Sequence, residues 1–254
     1  MSISLADWSE FDEILPLVLK YKVGIEIQEY TSPDNIDHNC HLAKEFSEKI
    51  ASISLRGFHG PFAELVPASW DPLVRNVARL RFESAYDLAQ TIEAQHLILH
   101  TGYFPKTYRQ ETWIQNSLDF WVDFLRNKSG SLQVHIENVY EDDCSAIVEL
   151  IDRVNEALSG EMLTSCLDIG HVNANSSKML EQWITGLGDR IRYVHLHNND
   201  GILDDHWGLW KGKIDIVRTL DLLKKFAPAA VWTVETIVSD TEPSFLWLQE
   251  KGYA

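Results

Sequence analysis

Cysteine is scarce in this chain of 254 residues. The three cysteines, Cys40, Cys144 and Cys166, are odd in number, lie far apart and form no CxxC pair. A disulfide framework usually needs an even set, and a zinc ribbon needs closely spaced pairs, so the sequence predicts neither. We therefore expect a fold held together by its apolar core, for which this length and a 45% hydrophobic content are sufficient.

Long apolar segments and positive charge are also lacking. The N-terminus MSISLADWSEFDEILPLVLKYK has acidic residues where a signal peptide has basic ones, and ILPLVL is too short to span a bilayer. The 38 acidic residues outnumber the 22 basic ones, which gives a formal net charge of −16. This charge disfavours nucleic acid and anionic membranes as partners unless a bound metal or basic patch reverses the local field. We expect a cytoplasmic protein that does not bind membranes.

Apolar runs typical of buried strands recur eight times, and segments with helical spacing separate them. The runs are ISLA, VGIEIQEY, ISLRGFHG, LILHTG, LQVHIENV, TSCLDIGH, IRYVHLHN and VWTVETI, and the clearest helical segments cover 72–92, 112–126, 146–158 and 216–226. This alternation is typical of a (β/α)8 barrel or of an open doubly wound sheet. No GxGxxG or GxxxxGK[ST] motif follows any run, so the nucleotide fingerprint of the open sheet is missing. We predict an α/β fold, a single (β/α)8 TIM barrel that forms one domain over residues 1–254.

The segment VHIENVYEDD places Glu137 at the end of an apolar run, where an unpaired charge is costly to bury. Binding to a cation would offset that cost. In a TIM barrel the C-terminal strand ends converge on one mouth, where the chemistry occurs. A lone polar residue at a strand end is usually structural, but seven successive runs end in an acid or a histidine, namely Glu26, His59, His100, Glu137, Asp168, His195 and Glu235. This recurrence predicts a metal or acid–base site at the mouth.

Further ligand-type residues follow two of these runs. His171 comes three residues after Asp168, and Asp204 and His206 form an Asp-x-His pair. A mixture of carboxylates and imidazoles favours Zn²⁺, Mn²⁺, Co²⁺ or Fe²⁺ over Ca²⁺, which prefers oxygen ligands. Because no cysteine joins the pattern, the site is predicted to be catalytic rather than structural. We expect one to three divalent ions per chain.

Seven short motifs occur in a recognisable order, HGPF, LILHTG, IENV, CLDIGH, YVHLHNND, DDHWGLWKGKID and VWTVET. Their order and spacing resemble the motifs of the xylose isomerase-like TIM-barrel superfamily over nearly the whole chain. That superfamily includes sugar isomerases and epimerases together with endonuclease IV. The resemblance therefore implies a metal-dependent barrel enzyme of one of these two branches.

Resemblance to the sugar epimerases implies one divalent ion, held by Glu137, Asp168, His195 and Glu235. The two glutamates would face opposite sides of a bound ketose and move a proton next to its carbonyl, while His171 would bind a hydroxyl. An ion that polarises the carbonyl favours this proton transfer. The epimerases generally have a substrate-binding arginine after the seventh strand, and the corresponding segment here, ILDDHWG, has none.

Resemblance to endonuclease IV implies three ions, with Glu137 bridging two of them, and hydrolysis of a phosphodiester. The additional ligand positions are all matched, by His59, His100, His171, Asp204 and His206. Endonuclease IV reaches DNA with basic and aromatic loops, whereas the loops here are mostly neutral or acidic. The candidate cations at the mouth are few, and they are Lys106, Arg109, Lys211 and Lys213.

Three other residues near the predicted mouth are candidate contacts to a substrate, Glu26, His197 and Trp207. Glu26 could instead orient a metal ligand, and Trp207 could instead pack in the core. His96 and His135 lie further down their strands and are predicted to be structural.

The preferred function is that of a metal-dependent isomerase or epimerase acting on a sugar or sugar phosphate through Glu137 and Glu235. Two features place this function ahead of DNA hydrolysis. The loops suit a small polar molecule, and the acidic surface disfavours DNA. An endonuclease IV-like phosphodiesterase, with abasic DNA as substrate, is the alternative. A third possibility is a metal- and sugar-binding barrel without turnover. The number of ions per chain distinguishes the first two, since one ion favours the isomerase and three favour the phosphodiesterase.

Overall fold

The chain forms a closed barrel of eight parallel strands. The computed structural model describes residues 2–8, 10–128 and 132–254. Each strand pairs with the next, and the last pairs with the first, so the order around the barrel follows the chain. The strands are β1 (Ser2–Ala6), β2 (Gly24–Ile27), β3 (Arg56–His59), β4 (His96–His100), β5 (Gln133–Glu137), β6 (Leu163–Asp168), β7 (Ile191–Leu196) and β8 (Val231–Val234). The predicted (β/α)8 TIM barrel is confirmed.

Helices follow each of the eight strands along the chain. They are α1 (Phe11–Tyr21), α2 (Pro33–Asn39), α3 (Ala43–Lys49), α4 (Pro72–Thr91), α5 (Gln110–Leu125), α6 (Ser145–Leu158), α7 (Ile169–Asn175), α8 (Leu180–Leu187), α9 (Ile216–Phe226) and α10 (Val238–Glu250). The four helical segments predicted from the sequence match α4, α5, α6 and α9 to within two residues at each end. Within the three described ranges, no helix combines the length and the apolarity needed to cross a membrane.

Apolar side chains pack in two places, between the helices outside the barrel and in the barrel interior. Outside, the ring of Phe82 in α4 lies 5.7 Å from that of Trp121 and 6.2 Å from that of Phe124, both in α5. Inside, a smaller cluster is formed by Ile98, Cys166, Tyr193 and Val231. The three cysteines are free thiols, as the sequence predicts. A filled interior gives the strand ends above it a fixed support.

Strand register sets the height of the polar residues at the mouth. His100 of β4 is directly opposite Glu137 of β5, and Asp168 of β6 is directly opposite His195 of β7. Because side chains alternate across a strand, residues at equal height on neighbouring strands point to the same side. Glu137 is opposite Cys166, two residues before Asp168, so the two pairs are offset along the strands. The long side chain of Glu137 spans this offset, and its Oε1 lies 3.3 Å from Nδ1 of His195.

Glu26 lies one layer deeper than His59, the predicted site residue on the neighbouring strand β3. It is opposite Ala6 and Gly57, and Gly57 is two residues before the end of β3. A Cβ atom at position 57 would lie 2.5 Å from the hydroxyl oxygen of Tyr193 and 3.3 Å from Cγ of Glu26. A glycine is needed there because the interior of the barrel is already filled by these two side chains.

Candidate active site

A cavity of about 450 Å³ opens where the C-terminal ends of the strands meet. Ligand-type side chains form its polar part, and these are His59, His100, Glu137, His171, Asp204, His206 and Glu235. Aromatic side chains form much of the remaining wall, and these are Trp8, Phe62, Tyr103, Phe104 and Tyr140. A cavity of this size and mixed lining is typical of small-molecule sites.

Four predicted ligands meet around Nδ1 of His195. This nitrogen lies 3.2 Å from Oε2 of Glu235, 3.3 Å from Oε1 of Glu137 and 3.7 Å from Oδ2 of Asp168. Oε2 of Glu235 is buried and has no hydrogen-bond partner among the described residues. Three carboxylates gathered this closely repel one another unless a proton or a cation lies between them. One imidazole and three carboxylates therefore fit a divalent ion such as Zn²⁺ or Mn²⁺.

The other ring nitrogen of His195 is held by Glu26. Oε2 of Glu26 lies 3.0 Å from Nε2 of His195, and both side chains are fully buried. The side-chain amide of Gln28 donates to Oε1 of Glu26 at 2.8 Å and to Oε1 of Glu235 at 2.6 Å. Burial raises the pKa of Glu26, but His195, His59 and Gln28 together lower it below its ordinary value, so the carboxylate is ionised. Glu26 and Gln28 thus orient a ligand on each side of the proposed ion position.

A second ligand group forms around Oε2 of Glu137. Nε2 of His59 lies 3.1 Å from this oxygen, and Nε2 of His100 lies 3.3 Å from it. One ligand atom from each of the three residues lies within 4.8 Å of the others, which is close enough to share an ion. Since Oε1 of Glu137 faces His195, its two oxygens belong to two neighbouring groups.

A third ligand group forms around Asp204. Its Oδ2 lies 3.0 Å from Nε2 of His171 and 2.9 Å from Nε2 of His206. Burial lowers the pKa of His206, but the hydrogen bond to Asp204 and the charges of Glu235, Asp204 and Asp168 together raise it to about 9. Burial raises the pKa of Asp168, yet His171 and His197 bring it down to about 2. Burial raises the pKa of Asp204 as well, but hydrogen bonds to His171 and His206 bring it well below its ordinary value, so Asp168 and Asp204 are ionised near neutral pH and able to act as ligands.

Three of the histidines use one ring nitrogen to hold their orientation. Nδ1 of His59, His171 and His206 donates over 2.8, 2.8 and 2.9 Å to the carbonyl oxygens of Gly60, Asn138 and Glu235, respectively. In each ring, Nε2 is then directed at a carboxylate. Metal-ligating histidines typically have one nitrogen fixed in this way and the other directed at the ion.

Of the four predicted substrate contacts, His171 lines the cavity, whereas Glu26, His197 and Trp207 are not part of its described lining. Glu26 and His197 are fully buried. Nε2 of His197 lies 3.0 Å from Oδ1 of Asp168, and its ring stacks on that of His206 at 3.8 Å. Trp207 pairs its backbone with that of Asn198 in an isolated bridge. Glu26 and His197 therefore lie in positions that support ligands, and Trp207 supports the loop that carries Asp204 and His206.

Sequence reasoning missed several residues that shape the site. Gln28 contacts two site carboxylates, and the side chain of Asn138 bonds both the N–H and the carbonyl of Asp168, each at 3.0 Å. The thiol of Cys166 lies beneath the mouth, within 4.8 Å of ligand atoms of Glu137 and His195. The sequence did contain a signal for both residues, because each lies directly after a strand end. Gln28 is one residue beyond β2, and Asn138 directly follows Glu137.

Known proteins share this fold. The structure of the TTHB071 protein from Thermus thermophilus, soaked with ZnCl2, is 24% identical and has a TM-score of 0.79, covering 98% of this chain and 97% of that one. A D-tagatose 3-epimerase-like protein is 21% identical with a TM-score of 0.74, covering 98% of this chain and 96% of that one. The uncharacterised protein MJ1311 of Methanocaldococcus jannaschii is 24% identical over 224 residues, which are 85% of this chain and 73% of the relative.

The match to a family model extends over most of the chain. The model describes a xylose isomerase-like TIM barrel, and it matches residues 24–251. This range contains the strands β2 to β8 and every predicted ligand, and the barrel topology agrees with it. The chain belongs to the xylose isomerase-like TIM-barrel family.

Proposed function

We propose that the protein is a divalent-metal-dependent isomerase or epimerase acting on a sugar. The observation that carries the proposal is the pair of glutamates, Glu137 and Glu235, which face the same nitrogen of His195 at 3.3 and 3.2 Å and both line the cavity. The names of structural neighbours support the substrate class, since one is a D-tagatose 3-epimerase-like protein. The zinc-soaked neighbour supports a metal-binding site.

The chemistry follows from two carboxylates at one reacting carbon. A bound divalent ion would polarise the substrate carbonyl and make the neighbouring C–H bond more acidic. One of the two glutamates then removes that proton, and the other returns a proton on the opposite face of the carbon. Gln28 holds Glu235, and His59 and His100 hold Glu137, so neither acid has to reorient before it reacts.

A second candidate is an endonuclease IV-like phosphodiesterase. The observation in its favour is that His59, His100 and Glu137 form one compact ligand group and that His171, Asp204 and His206 form another. With the group around His195, the barrel therefore has three potential ion sites, two of which share Glu137. Three ions would stabilise the charge that develops on a phosphate during hydrolysis.

Solvent isotope exchange tests the preferred function. An isomerase or epimerase breaks a carbon–hydrogen bond beside a carbonyl, so a substrate incubated in D₂O acquires deuterium at that carbon as it is converted. A panel of ketoses and their phosphates, incubated with the Mn²⁺- or Co²⁺-loaded protein, is followed by NMR and mass spectrometry. We expect interconversion with deuterium at the carbon next to the carbonyl.

The same preparation is incubated with duplex DNA that contains one abasic site. We expect little incision at enzyme concentrations that convert the sugar. Efficient incision that is abolished by a chelator, together with no sugar converted, would make the phosphodiesterase the correct function. A sugar that binds with measurable affinity but neither converts nor exchanges deuterium would favour the binding barrel without turnover.

A further inference from the structure

The cavity offers no cationic side chain to an anionic substrate group. Among the described residues that line it there is neither lysine nor arginine. Of the mouth cations considered from the sequence, Lys211 binds Asp240 at 2.6 Å, and Lys213 lies on a separate surface groove beside Glu181. Lys106 and Arg109 are also outside the described lining. A phosphate on the substrate would thus meet no fixed positive charge of the protein.

Three of the four histidines that line the cavity have no ring nitrogen free to bind a substrate anion. His171 and His206 each donate one N–H to a backbone carbonyl and direct the other nitrogen at Asp204. Both nitrogens of His59 are engaged in the same way, by a carbonyl and by Glu137. These three rings therefore have their hydrogen-bonding atoms committed to the protein, or to metal ions if the additional sites are filled.

Carboxylates in the cavity wall oppose an anionic substrate group. Glu64, Glu137, Asp204 and Glu235 all line the cavity, and no lysine or arginine stands beside them in the described lining. Asp204 contacts His171 and His206, and Glu137 contacts His59, so these histidines are already paired with acids of the protein. A phosphate would meet the carboxylates at short range without a free cation, whereas a neutral molecule meets no such repulsion.

The aromatic walls suit a neutral molecule with an apolar face. Phe62 stacks on His100, with ring centroids 4.5 Å apart and an interplanar angle of 17°, and it is 42% exposed. Phe104 and Tyr140 are 45% and 50% exposed, and Trp8 meets His206 edge-on at 4.8 Å. Such rings pack against the C–H face of a sugar, and the neutral side chains of Thr31 and Tyr103 can bond its hydroxyls.

We infer that the substrate of this cavity is an unphosphorylated polyhydroxy carbonyl compound and that the site rejects the phosphate ester of the same sugar. The inference rests on the proposed function and narrows it from sugars and sugar phosphates to free sugars. Two observations support the inference. The described lining has carboxylates but no lysine or arginine, and much of its wall is aromatic.

Calorimetric titration with pairs of a free sugar and its phosphate tests the inferred preference for free sugars. The protein is loaded with Mn²⁺, its ion content is measured, and D-fructose and D-tagatose are compared with their 6-phosphates and with inorganic phosphate. We expect at least one free sugar to bind at least about 10-fold more tightly than its phosphate, and inorganic phosphate to bind more weakly still. A sugar phosphate that binds as tightly as the free sugar overturns the inference.

A gain-of-function variant tests the physical reason. Ala63 lines the cavity and is exposed, so a longer side chain fits there without disturbing the core. Ala63→Lys should improve binding of the sugar phosphates at least about 10-fold and leave the melting temperature near that of the wild type, whereas Ala63→Gln, of similar length but neutral, should not. Equal effects of the two variants would contradict the role assigned to charge.

Isotope exchange on the same ligands separates this inference from the function on which it rests. Conversion of phosphates in preference to free sugars keeps the isomerase and rejects the inference. Tight binding of a free sugar without conversion or deuterium uptake keeps the inference and rejects the isomerase. Absence of binding by every sugar and phosphate in the panel rejects both.

Discussion

Oε2 of Glu26 lies 3.0 Å from Nε2 of His195, while Nδ1 of the same ring faces three carboxylates. Glu26 therefore fixes the ring through Nε2, and Nδ1 is directed at the other three acids. A carboxylate in this position sets which nitrogen carries the proton, and it increases the basicity of the nitrogen that faces an ion. We therefore propose that Glu26 positions His195, although it does not reach the described cavity lining.

Glu26→Gln should weaken binding of the ion. The substitution keeps the shape of the side chain and removes its charge, so His195 becomes a poorer ligand, and affinity should fall by about 10- to 100-fold. Competition with a chromophoric chelator measures this change. Glu13→Gln, at an exposed position of α1, is the control and should leave affinity unchanged. Equal affinity of Glu26→Gln and wild type would show that His195 needs no support.

Glu137→Gln and Glu235→Gln should each abolish turnover. Each change removes a ligand charge and a proton acceptor, and loss of an acid–base group alone costs at least about 100-fold in rate. The assay is conversion of the best sugar from the panel at saturating Mn²⁺, with circular dichroism to verify the fold. Substantial turnover by either variant would refute the two-glutamate mechanism.

The double variant His59→Ala/His100→Ala should keep the same ion content as the wild type, which we expect to be one per chain. The group around His195 does not include these two histidines as ligands, and only the three-ion arrangement requires them. Elemental analysis after dialysis gives the number of ions. A loss of one ion or more in the variant would favour the phosphodiesterase.

Gly170→Ala should destabilise the protein and the site together. A Cβ atom at this position would lie 1.9 Å from Cε1 of His197, the ring that contacts Asp168. Overpacking of this kind typically costs about 1–3 kcal/mol, and displacement of His197 should also weaken ion binding. Chemical denaturation measures the first effect. Gly160→Ala is the control, since no atom lies within 4 Å of its added Cβ, and it should behave like the wild type.

His96 should make the protein sensitive to acid. Nδ1 of His96 lies 2.9 Å from Nε2 of His135, its ring packs near Tyr193, and burial lowers its pKa from 6.5 to about 4. A histidine whose pKa is lowered on folding destabilises the folded state as pH falls from 6.5 towards 4, by up to roughly 3 kcal/mol. In His96→Gln that part of the acid-induced loss should disappear. Urea unfolding at pH 7 and pH 4.5 measures it, and an identical loss in variant and wild type would exclude His96 as the cause.

The barrel was predictable because eight short runs rich in apolar residues alternate with helical segments along the chain, and seven of these runs carry an acid or a histidine near their ends. The same pattern identified His100, Glu137 and Asp168, which stand at the last positions of β4, β5 and β6. It did not reveal that Glu26 lies deeper than these, because depth depends on register with β1 and β3, and the sequence of one strand contains no record of its neighbours' register. Gln28 was missed for a related reason, since a neutral amide gains its role only from the two acids it meets.

The four residues around the proposed ion position, Glu137, Asp168, His195 and Glu235, all come from the second half of the barrel, on or directly after β5 to β8. The group of His59, His100 and Glu137 instead spans the boundary between β3–β4 and β5. An ion in that second group would be bound by residues of both half-barrels, whereas an ion in the first group would be bound by residues of the second half alone. Metal stoichiometry therefore bears on cooperativity, because it determines whether ion binding forces the two halves to unfold together.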